Sequence, residues 1–319
     1  MHLEYQGQEA LILMYLLLNT STMSSSSPTR TTYSKPYAAL SPLRPEVSQA
    51  GRTVLITGGN SGIGYAVARA FGQAGASRVI ITGRRAEATR EAAATLASQL
   101  ANPNTKFVGV TCDMAKADAV ERLWADLAAE GTFVDVLVLN ATGIAGPGRI
   151  LERGTEKIWS DYDINVRAQL RMTEYFYKQK SSSATGDKRF LVMVSTSAIH
   201  NYEHTALYPG YGLTKSAATF AMQLIARETS PDDMQIVNFH PGPVYTNNAR
   251  TAGWTEDSFP WHDPNLPGQF AVWAASTEAK FLHGRFVYSA WDVNELKAGE
   301  LRKKISEDDD FLRIGVVGL

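Results

Sequence analysis

The stretch Val54–Phe71, VLITGGNSGIGYAVARAF, decides the fold of this chain. It begins with an apolar run that predicts a buried strand, and a turn with glycines at 58, 59, 62 and 64 follows. Past the turn, apolar residues recur at 63, 66, 67, 70, 71 and 74, which is the spacing of one helical face. The sequence therefore predicts a strand, a glycine-rich turn and an amphipathic helix in succession.

This turn is suited to hold a phosphate group. A helix that starts directly after it presents unpaired N–H groups and the positive end of its dipole. Glycine lets a pyrophosphate approach the backbone closely and permits a positive φ. Gly58, Gly62 and Gly64 are spaced as G-x3-G-x-G rather than as the more familiar G-x-G-x-x-G. An ordinary tight turn is the alternative, but the strand–turn–helix context predicts nucleotide binding.

The bulk composition limits the possible functions. The 319 residues suffice for one large α/β domain or two small ones, and 44% hydrophobic and 20% charged residues are ordinary for a globular protein. A net charge of −1 gives no broad attraction to nucleic acid or an anionic membrane, so we expect neither as a partner. Cys112 is the single cysteine, which excludes an intrachain disulfide and favours a reducing, cytoplasmic location. The six histidines lack metal-ligand spacing, so we expect no metal.

Two parts of the chain differ in character. Residues 1–50 carry an apolar run, Ala10–Leu18, that is too short to span a bilayer and lacks a basic upstream flank. A serine run with proline follows, and we expect residues 1–50 to form a flexible N-terminal extension, with a functional anchor as the alternative. Met23 as the true start of the protein stays open. Residues 51–319 show no linker or internal repeat and are predicted to form one domain.

Apolar strands alternate with helical patterns after residue 51. The predicted strands are Val54–Thr57, Arg78–Thr82, Phe107–Cys112, Val134–Asn140, Phe190–Thr196, Gln235–His240 and Arg285–Ser289. The predicted helices are Ile63–Gln73, Ala86–Leu100, Ala117–Glu130, Glu156–Lys180 and Leu213–Glu228. This alternation predicts an α/β fold, a single doubly wound Rossmann-type domain with a mostly parallel seven-stranded sheet.

The end of the second predicted strand bears on the choice of cofactor. It reads Thr82-Gly83-Arg84-Arg85, about 20 residues after Gly64. An acidic residue at this place would bind ribose hydroxyls, whereas a guanidinium group suits a 2′-phosphate. Arg84 therefore favours NADP(H) over NAD(H), while Arg85 is equally well explained as a surface residue. Asp113, after the third strand, either accepts a hydrogen bond from the adenine amino group or caps the next helix.

Two asparagines have a functional and a structural interpretation each. Asn140 closes the fourth strand at the edge where ligands bind in open α/β sheets, and it either contacts the cofactor or bonds to neighbouring backbone. Asn165 lies among apolar residues of a predicted helix, where an unpartnered amide costs about 1–3 kcal/mol. Asn165 is therefore either a buried structural bridge or a member of a polar active-site chain.

The segment Ser195–Lys215 carries the candidate chemistry. Tyr211 and Lys215 are four residues apart at the start of a helical pattern, so they share one helical face. We expect an ammonium near the phenol to lower the pKa of Tyr211 from about 10 toward the range useful for proton transfer. Ser197 follows the fifth strand, where its hydroxyl is placed to polarise a substrate carbonyl. Alone, a Tyr-x-x-x-Lys pair is common on protein surfaces.

Together these residues resemble the short-chain dehydrogenase/reductase family over about residues 50–290. TGGNSGIG at 57–64 is similar to the cofactor turn of the family, and NATG at 140–143 is similar to its N-A-G element. Asn165, Ser197, Tyr211 and Lys215 match its catalytic tetrad, and HPGPVYT at 240–246 matches its P-G-x-V-x-T loop. The opening and the tail further resemble a fungal subgroup, many of whose members are linked to secondary metabolism.

The resemblance implies roles for these residues. Tyr211 is then the general acid/base, Ser197 orients the substrate oxygen, and Lys215 binds the nicotinamide ribose and lowers the pKa of the tyrosine. Asn165 would hold a water that links Lys215 to solvent. The implied cofactor contacts are Gly58, Ser61, Gly62, Ile63, Gly64, Arg84, Asp113, Asn140, Tyr211, Lys215, Val244 and Thr246, with the last two at the nicotinamide carboxamide. The resemblance also implies the sheet order 3-2-1-4-5-6-7 and homodimers or homotetramers formed through the two long helices.

One departure from the family pattern concerns the serine. Ser197 precedes Tyr211 by 14 residues, one more than is usual in the family, so Ser195 and Thr196 are alternatives to it. A second region, Thr246–Gly268, is too long for a simple connection and is rich in aromatic residues. We expect a substrate lid there that contacts an apolar or polyketide-like carbonyl compound, with packing against the body as the alternative. His200, Tyr202 and His204 either line the pocket mouth or are ordinary surface residues.

The sequence thus predicts an NADP(H)-dependent oxidoreductase that interconverts a carbonyl and an alcohol on a small apolar or secondary-metabolite substrate. One rival hypothesis is a catalytically silent NADP-sensing or scaffold protein on the same fold, which the intact tyrosine–lysine pair disfavours. Another is an epimerase or dehydratase, which the short tail after residue 290 disfavours.

Overall fold

Seven parallel strands form one sheet in the computed structural model, which describes residues 27–100, 104–143, 148–180, 188–201, 205–206, 208–251 and 253–316. The strands are β1 Thr53–Ile56, β2 Arg78–Gly83, β3 Lys106–Thr111, β4 Val136–Leu139, β5 Arg189–Val194, β6 Met234–His240 and β7 Arg285–Tyr288. Their spatial order is β3-β2-β1-β4-β5-β6-β7, which confirms the predicted doubly wound sheet. The order reverses between β1 and β4, and such a reversal opens a crevice at the carboxyl ends of the strands.

Helices cover both faces of this sheet. In chain order they are α1 Gly62–Gln73, α2 Ala86–Leu100, α3 Ala117–Ala129, α4 Ile150–Arg153, α5 Thr155–Tyr162, α6 Ala168–Lys178, α7 Pro209–Glu228, α8 Asn247–Thr251, α9 Asn265–Ala274, α10 Val293–Leu296 and α11 Gly299–Glu307. Within the described ranges, none of the helices combines the length and the apolar character that crossing a bilayer requires.

The strands are apolar without interruption because side chains on both faces are buried. Successive strand residues point to opposite faces, so Val54 and Ile56 enter one core cluster and Leu55 enters the other. The first cluster contains α1 and α9 residues, and the second contains residues of α3, α6 and α7. This two-sided burial holds the carboxyl ends of β1, β4 and β5 at one edge.

The helix predicted over 156–180 is divided by a π-helical turn at Asp163–Arg167, which lies between α5 and α6. Turns of this kind disturb the helical hydrogen-bond ladder and are frequent at functional sites. The buried Asn165 lies within it. The spacing of apolar residues could not reveal this turn. A π-helical turn adds one residue to the helix and therefore shifts the apolar spacing only locally.

The N-terminal segment differs from the prediction over its described part. Leu40 and Val47 are buried in the first core cluster, and Tyr33 and Tyr37 stack with ring centroids 3.7 Å apart. The hydroxyl of Tyr37 donates to the carbonyl of Trp291. The expected flexible extension is therefore wrong for residues 27–50, which pack on the C-terminal part of the domain. The stretch 1–26, with Ala10–Leu18 and Met23, lies outside the described residues.

The predicted lid also ends earlier than residue 268. Helix α9 begins at Asn265, and Leu266, Pro267 and Gly268 are buried. A Cβ at Gly268 would come within 2.7 Å of the carbonyl oxygen of Ala66, so glycine allows α9 to lie directly on α1. The connection after β6 is therefore the shorter stretch before α9, and the end of the predicted loop belongs to the core.

Candidate active site

A cleft of about 380 Å³ lies at the carboxyl edge of the sheet, where the strand order reverses. Its lining comprises Gly58, Asn60, Ser61, Gly62, Ile63, Thr82, Gly83, Arg84, Cys112, Met114, Asn140, Ala141, Thr142, Gly143, Ile164, Val194, Ser195, Thr196, Tyr211, Lys215, His240, Pro241, Gly242, Val244, Thr246 and Asn247. Most of the predicted site residues are therefore brought together in one place, although they span almost 200 positions of the chain, from Gly58 to Asn247.

The glycine-rich turn forms the floor of this cleft. Gly58 and Gly62 have φ angles of 65° and 55°, the left-handed region that favours glycine. Gly64 is needed for a different reason, since a Cβ there would lie 2.3 Å from the carbonyl oxygen of Gly58. Ser61 is the N-cap residue of α1 and, like Ile63, lines the cleft. The first turn of α1 thus meets the cleft with its N–H groups, as an anion site requires.

Asn140 braces the glycine-rich turn. Its side-chain Nδ2 donates to the carbonyl oxygens of Thr57 and Gly58 at 2.9 and 3.1 Å. Its backbone N–H donates to the hydroxyl of Thr57 at 2.9 Å. Of the two interpretations left open for Asn140, the structure shows bonding to neighbouring backbone, and the residue shapes the cradle from the adjacent strand.

The opposite end of the cleft, beyond β2, carries a positive charge. Arg84 is exposed and lines the cleft together with Thr82 and Gly83. Asp113 is placed differently, because its Oδ1 accepts the N–H of Ala115 at 3.1 Å and the cleft is lined by its two neighbours instead. The structure therefore places one oxygen of the Asp113 carboxylate in a local turn, and the N-cap of α3 is Lys116 instead. The contact of Asp113 with adenine stays a prediction.

One of those neighbours of Asp113, Cys112, is buried, and burial raises the pKa of its thiol to about 11. At neutral pH the thiol is therefore protonated, and Cys112 contributes to the cleft wall as a small apolar side chain.

The loop after β6 closes the cleft from the other side. Val244 is buried and lines the cleft, and Thr246 lies next to the glycine-rich turn. A Cβ at Gly62 would come within 3.2 Å of the Thr246 Cγ2 atom. The two segments that match the cofactor turn and the P-G-x-V-x-T loop are therefore in contact across the cleft.

Tyr211 and Lys215 lie on the first turns of α7. Lys215 is buried, and its Nζ donates to the Val194 carbonyl at 2.6 Å. Burial lowers the pKa of Lys215 to about 8. Burial also raises the pKa of Tyr211 to about 12, although a hydrogen bond with Thr196 opposes this. The expectation that Lys215 lowers the pKa of Tyr211 is wrong for this structure, because the ammonium faces the Val194 carbonyl instead.

Asn165 is a buried bridge beside this pair. Its Oδ1 accepts hydrogen bonds from the Thr142 hydroxyl at 2.9 Å and the Gly143 N–H at 2.8 Å. Its Nδ2 donates to the Gly143 carbonyl at 2.9 Å and to the Thr214 hydroxyl at 3.0 Å. All four hydrogen-bonding positions of the amide are thus used, and the π-helical turn is tied to the end of β4 and to the residue before Lys215.

Three consecutive hydroxyl groups follow β5 and point to three different places. The Oγ of Ser195 is buried and lies 2.6 Å from the Oγ1 of Thr219. The Thr196 hydroxyl bonds to the phenol of Tyr211. The Ser197 hydroxyl bonds to the phenol of Tyr288. The structure therefore brings Thr196, and not the predicted Ser197, to the tyrosine, because the backbone turns into a 3-10 helix at Ser197–Ile199.

The aromatic residues of the predicted lid pack mainly on one another. Trp261 lies at ring-centroid distances of 5.5 Å from both Tyr245 and Phe259 and 6.5 Å from Trp254. From the described part of the loop, Thr246 and Asn247 reach the cleft. The rings thus form a cluster with one another and with Tyr245, which lies between the cleft residues Val244 and Thr246. Contact of these rings with a substrate stays a prediction.

The histidine predictions have separate outcomes. His200 is exposed, and its Nε2 lies 2.7 Å from the Tyr288 hydroxyl, while Tyr202 and His204 lie outside the described residues. Sequence reasoning missed Thr142 and His240 as cleft residues. Their only signal was their position inside the NATG and HPGPVYT segments, since neither residue type at those positions indicates a role by itself.

Comparison with known proteins agrees with this geometry. A family model described as short chain dehydrogenase matches residues 52–257. The chain is 32% identical over 290 residues to the short chain dehydrogenase/reductase AacuD of Aspergillus aculeatus, which covers 91% of this chain and 96% of that protein. It is 35% identical over 271 residues to the short chain dehydrogenase/reductase nsrO of Aspergillus novofumigatus, with 84% and 89% covered.

Solved structures share the fold. A Pseudomonas aeruginosa RhlG/NADP active-site complex superposes with a TM-score of 0.68 at 22% identity, covering 77% of this chain and 97% of that one. A short chain dehydrogenase of Shigella flexneri complexed with NADP superposes with a TM-score of 0.65 at 21% identity, covering 77% and 99%. At these identities the likeness concerns the fold alone.

Proposed function

The chain belongs to the short chain dehydrogenase family, and on that premise we propose that it is an NADP(H)-dependent oxidoreductase that interconverts a carbonyl and an alcohol. The observation that carries the proposal is the position of the Tyr211 phenol. It lies in the same cleft as the glycine-rich turn, one helical turn from the buried Lys215 and bonded to the hydroxyl of Thr196. A proton donor thus stands at the far end of a dinucleotide cradle.

The residues of the cleft fit a dinucleotide. The cradle is kept open by glycine, because a Cβ at Gly58 would come within 3.1 Å of both Asn140 and Ala141 and one at Gly62 would approach Thr246. The N–H groups of the first turn of α1 would bind the pyrophosphate, and Val244 and Thr246 would bind the nicotinamide end. When bound, the reduced nicotinamide supplies a hydride to the carbonyl carbon of the substrate.

Arg84 supports the choice of the phosphorylated dinucleotide. Its guanidinium is exposed at the end of β2, on the cleft, where an acidic residue would be expected for NAD(H). A 2′-phosphate accepts two parallel, charge-assisted hydrogen bonds from a guanidinium group. NADP(H) is therefore the cofactor that these residues favour.

The proton is handled by Tyr211 and Lys215. During reduction of a carbonyl, the phenol of Tyr211 gives its proton to the oxygen that gains charge, and the resulting phenolate needs a nearby positive charge. The ammonium of Lys215 supplies that charge once it turns from the Val194 carbonyl toward the phenolate and the cofactor ribose. Asn165 joins α7 to the end of β4, which holds the first turns of α7, with Tyr211 and Lys215, against the cleft.

The substrate and the assembly are further parts of the proposal. We propose a small apolar or secondary-metabolite carbonyl compound as substrate, because the aromatic cluster around Trp261 contacts Tyr245, whose neighbours Val244 and Thr246 line the cleft. We propose a homo-oligomer because exposed apolar residues such as Leu170 on α6 and Phe220 and Leu224 on α7 would be covered by a second copy. A cytoplasmic location accords with the free thiol of Cys112.

A test of the proposal compares the wild type with Tyr211→Phe. NADPH oxidation is followed against a panel of aromatic and aliphatic ketones and aldehydes, and NADPH binding is measured by fluorescence. We expect Tyr211→Phe to lower turnover by about 10²- to 10⁴-fold, the contribution of positioned proton transfer, while NADPH affinity is largely kept. A variant with wild-type turnover would remove Tyr211 as the proton donor. A wild type that binds NADPH but reduces none of the panel would favour the sensing or scaffold alternative.

A further inference from the structure

Three consecutive hydroxyl-bearing residues, Ser195, Thr196 and Ser197, follow the carboxyl end of β5. A carbonyl oxygen that receives a proton from Tyr211 needs a second hydrogen-bond donor close to the phenol, because one donor leaves the oxygen free to rotate. Each of the three hydroxyls has its own partners in the structure, and these partners decide which one can serve.

Ser195 is excluded by its burial. Its side chain is directed into the protein, where its Oγ lies 2.6 Å from the Thr219 Oγ1. Ser195 contributes to the cleft lining, but Ser195 and Thr219 are only 2% and 0% exposed, and the Ser195 hydroxyl is already engaged by the Thr219 hydroxyl. Turning Ser195 toward the substrate would leave the Thr219 hydroxyl buried without this partner.

Ser197 is held on the far side of the turn. Its hydroxyl bonds to the phenol of Tyr288 on β7, and this phenol also lies 2.7 Å from Nε2 of His200. Its backbone N–H donates to Nδ1 of His240 at 3.2 Å. Ser197 is therefore bound through its side chain to Tyr288 and through its backbone to His240, and it is absent from the residues that line the cleft in the described chain.

Thr196 has the geometry that the reaction needs. Its backbone is extended, with φ −156° and ψ 152°, and its Oγ1 caps the following 3-10 helix by accepting the N–H of Ala198 at 3.3 Å. That bond uses the oxygen as an acceptor and leaves the hydroxyl hydrogen available for donation, and the side chain also shares a hydrogen bond with the phenol of Tyr211. Thr196 is half-buried and lines the cleft.

We infer that Thr196 is a catalytic residue of this protein, and that its hydroxyl binds the substrate oxygen together with the phenol of Tyr211. The inference rests on the proposed oxidoreductase function and assigns to Thr196 the role that the family resemblance implied for Ser197. Because threonine is β-branched, its χ1 angle is restricted, and the cap to Ala198 restricts it further.

The experiment compares Thr196→Val, Thr196→Ser and Ser197→Ala, with a carbonyl substrate taken from the panel used for Tyr211→Phe. Valine has the shape of threonine without the hydroxyl, so we expect kcat of Thr196→Val to fall about 10²- to 10³-fold, as when one donor to a developing oxyanion is removed. Thr196→Ser keeps the hydroxyl and should retain most of the wild-type kcat, which also controls for folding. Ser197→Ala should turn over at about the wild-type rate.

Two results would overturn the inference. Thr196→Val with a kcat near that of the wild type would show that the hydroxyl is not needed. A large loss in Ser197→Ala with none in Thr196→Val would return the role to the serine. Failure of the proposed function would give a different result from failure of this inference. In that case the wild type itself would reduce no carbonyl, and Tyr211→Phe would show the same lack of turnover. NADPH affinity, measured for each variant, should stay within a few-fold of the wild-type value.

Discussion

The two halves of the cleft are built in different ways. The cofactor half consists of the β1–α1 turn, where glycines at 58, 62 and 64 and the brace from Asn140 shape the backbone. The substrate half consists of side chains, namely the Tyr211 phenol, the Thr196 hydroxyl and the Lys215 ammonium, carried on two separate elements. The cofactor half depends on the space left by glycines, which carry no side chain. The substrate half depends on the direction in which its functional side chains point. A substitution should therefore affect affinity in the first half and turnover in the second.

The largest effect is expected from removing the charge in the substrate half. Lys215→Met keeps the length of the buried side chain but lacks the ammonium that stabilises a phenolate at Tyr211. Since burial raises the pKa of Tyr211 to about 12, loss of this charge should lower kcat by about 10²- to 10⁴-fold. NADPH affinity should change far less. Steady-state kinetics and fluorescence titration of NADPH measure the two quantities.

The role of the Lys215 ammonium also predicts how the catalytic rate changes with pH. Burial lowers the pKa of Lys215 to about 8, so its ammonium is present below that pH and lost above it. We expect kcat/KM for carbonyl reduction by the wild type to fall as pH rises through about 8, and this limb should be absent in Lys215→Met. Lys188→Met serves as control and should behave as the wild type, because Lys188 is a partly buried lysine directly before β5, at the edge of the sheet opposite the cleft. An identical limb in Lys215→Met would assign the titration to another group.

A smaller effect, confined to affinity, is expected in the cofactor half. A Cβ at Gly64 would lie 2.3 Å from the Gly58 carbonyl oxygen and 2.5 Å from Nδ2 of Asn140, so Gly64→Ala forces the turn to shift. Such overpacking costs about 1–3 kcal/mol, and we expect NADPH to bind about ten- to a hundredfold more weakly. Gly315→Ala adds the same methyl group with no heavy atom within 4 Å and should bind NADPH normally. Equal losses in both variants would contradict this.

The same contrast explains what the sequence could predict. The strands and the glycine-rich turn follow from periodicity and from the steric needs of the backbone, so the sheet order and the place of Gly58, Gly62 and Gly64 were predictable. Which of Ser195, Thr196 and Ser197 meets Tyr211 depends on partners from α7, β6 and β7, far away in sequence. Counting residues back from Tyr211 could not reveal that the chain turns at Ser197.

The N-terminal segment shows a related limit. Residues 27–50 contain many polar and proline residues and lack a helical or strand period, which is typical of unpacked chain. They are ordered nevertheless, because single apolar residues such as Leu40 and Val47 fill the core and Tyr37 bonds to Trp291 and Val293. Contacts of this kind are made one residue at a time and leave no pattern in the sequence.

The smallest effect is expected from Arg84→Ala. This substitution should distinguish NADPH binding from NADH binding, rather than the cofactor half of the cleft from the substrate half. Arg84 is exposed, so its bond to a 2′-phosphate is screened by solvent, and we expect Arg84→Ala to weaken NADPH about tenfold, near the lower end for a hydrogen bond to a charged group. NADH lacks this phosphate, so the affinity of Arg84→Ala for NADH and its kcat with NADH should equal the wild-type values. Arg85→Ala removes a neighbouring, also exposed guanidinium that does not line the cleft, and it should leave the affinity for both cofactors unchanged. If Arg84→Ala weakened NADPH and NADH alike, Arg84 would act on a part that both dinucleotides share, and the preference for NADP(H) would lose its physical basis.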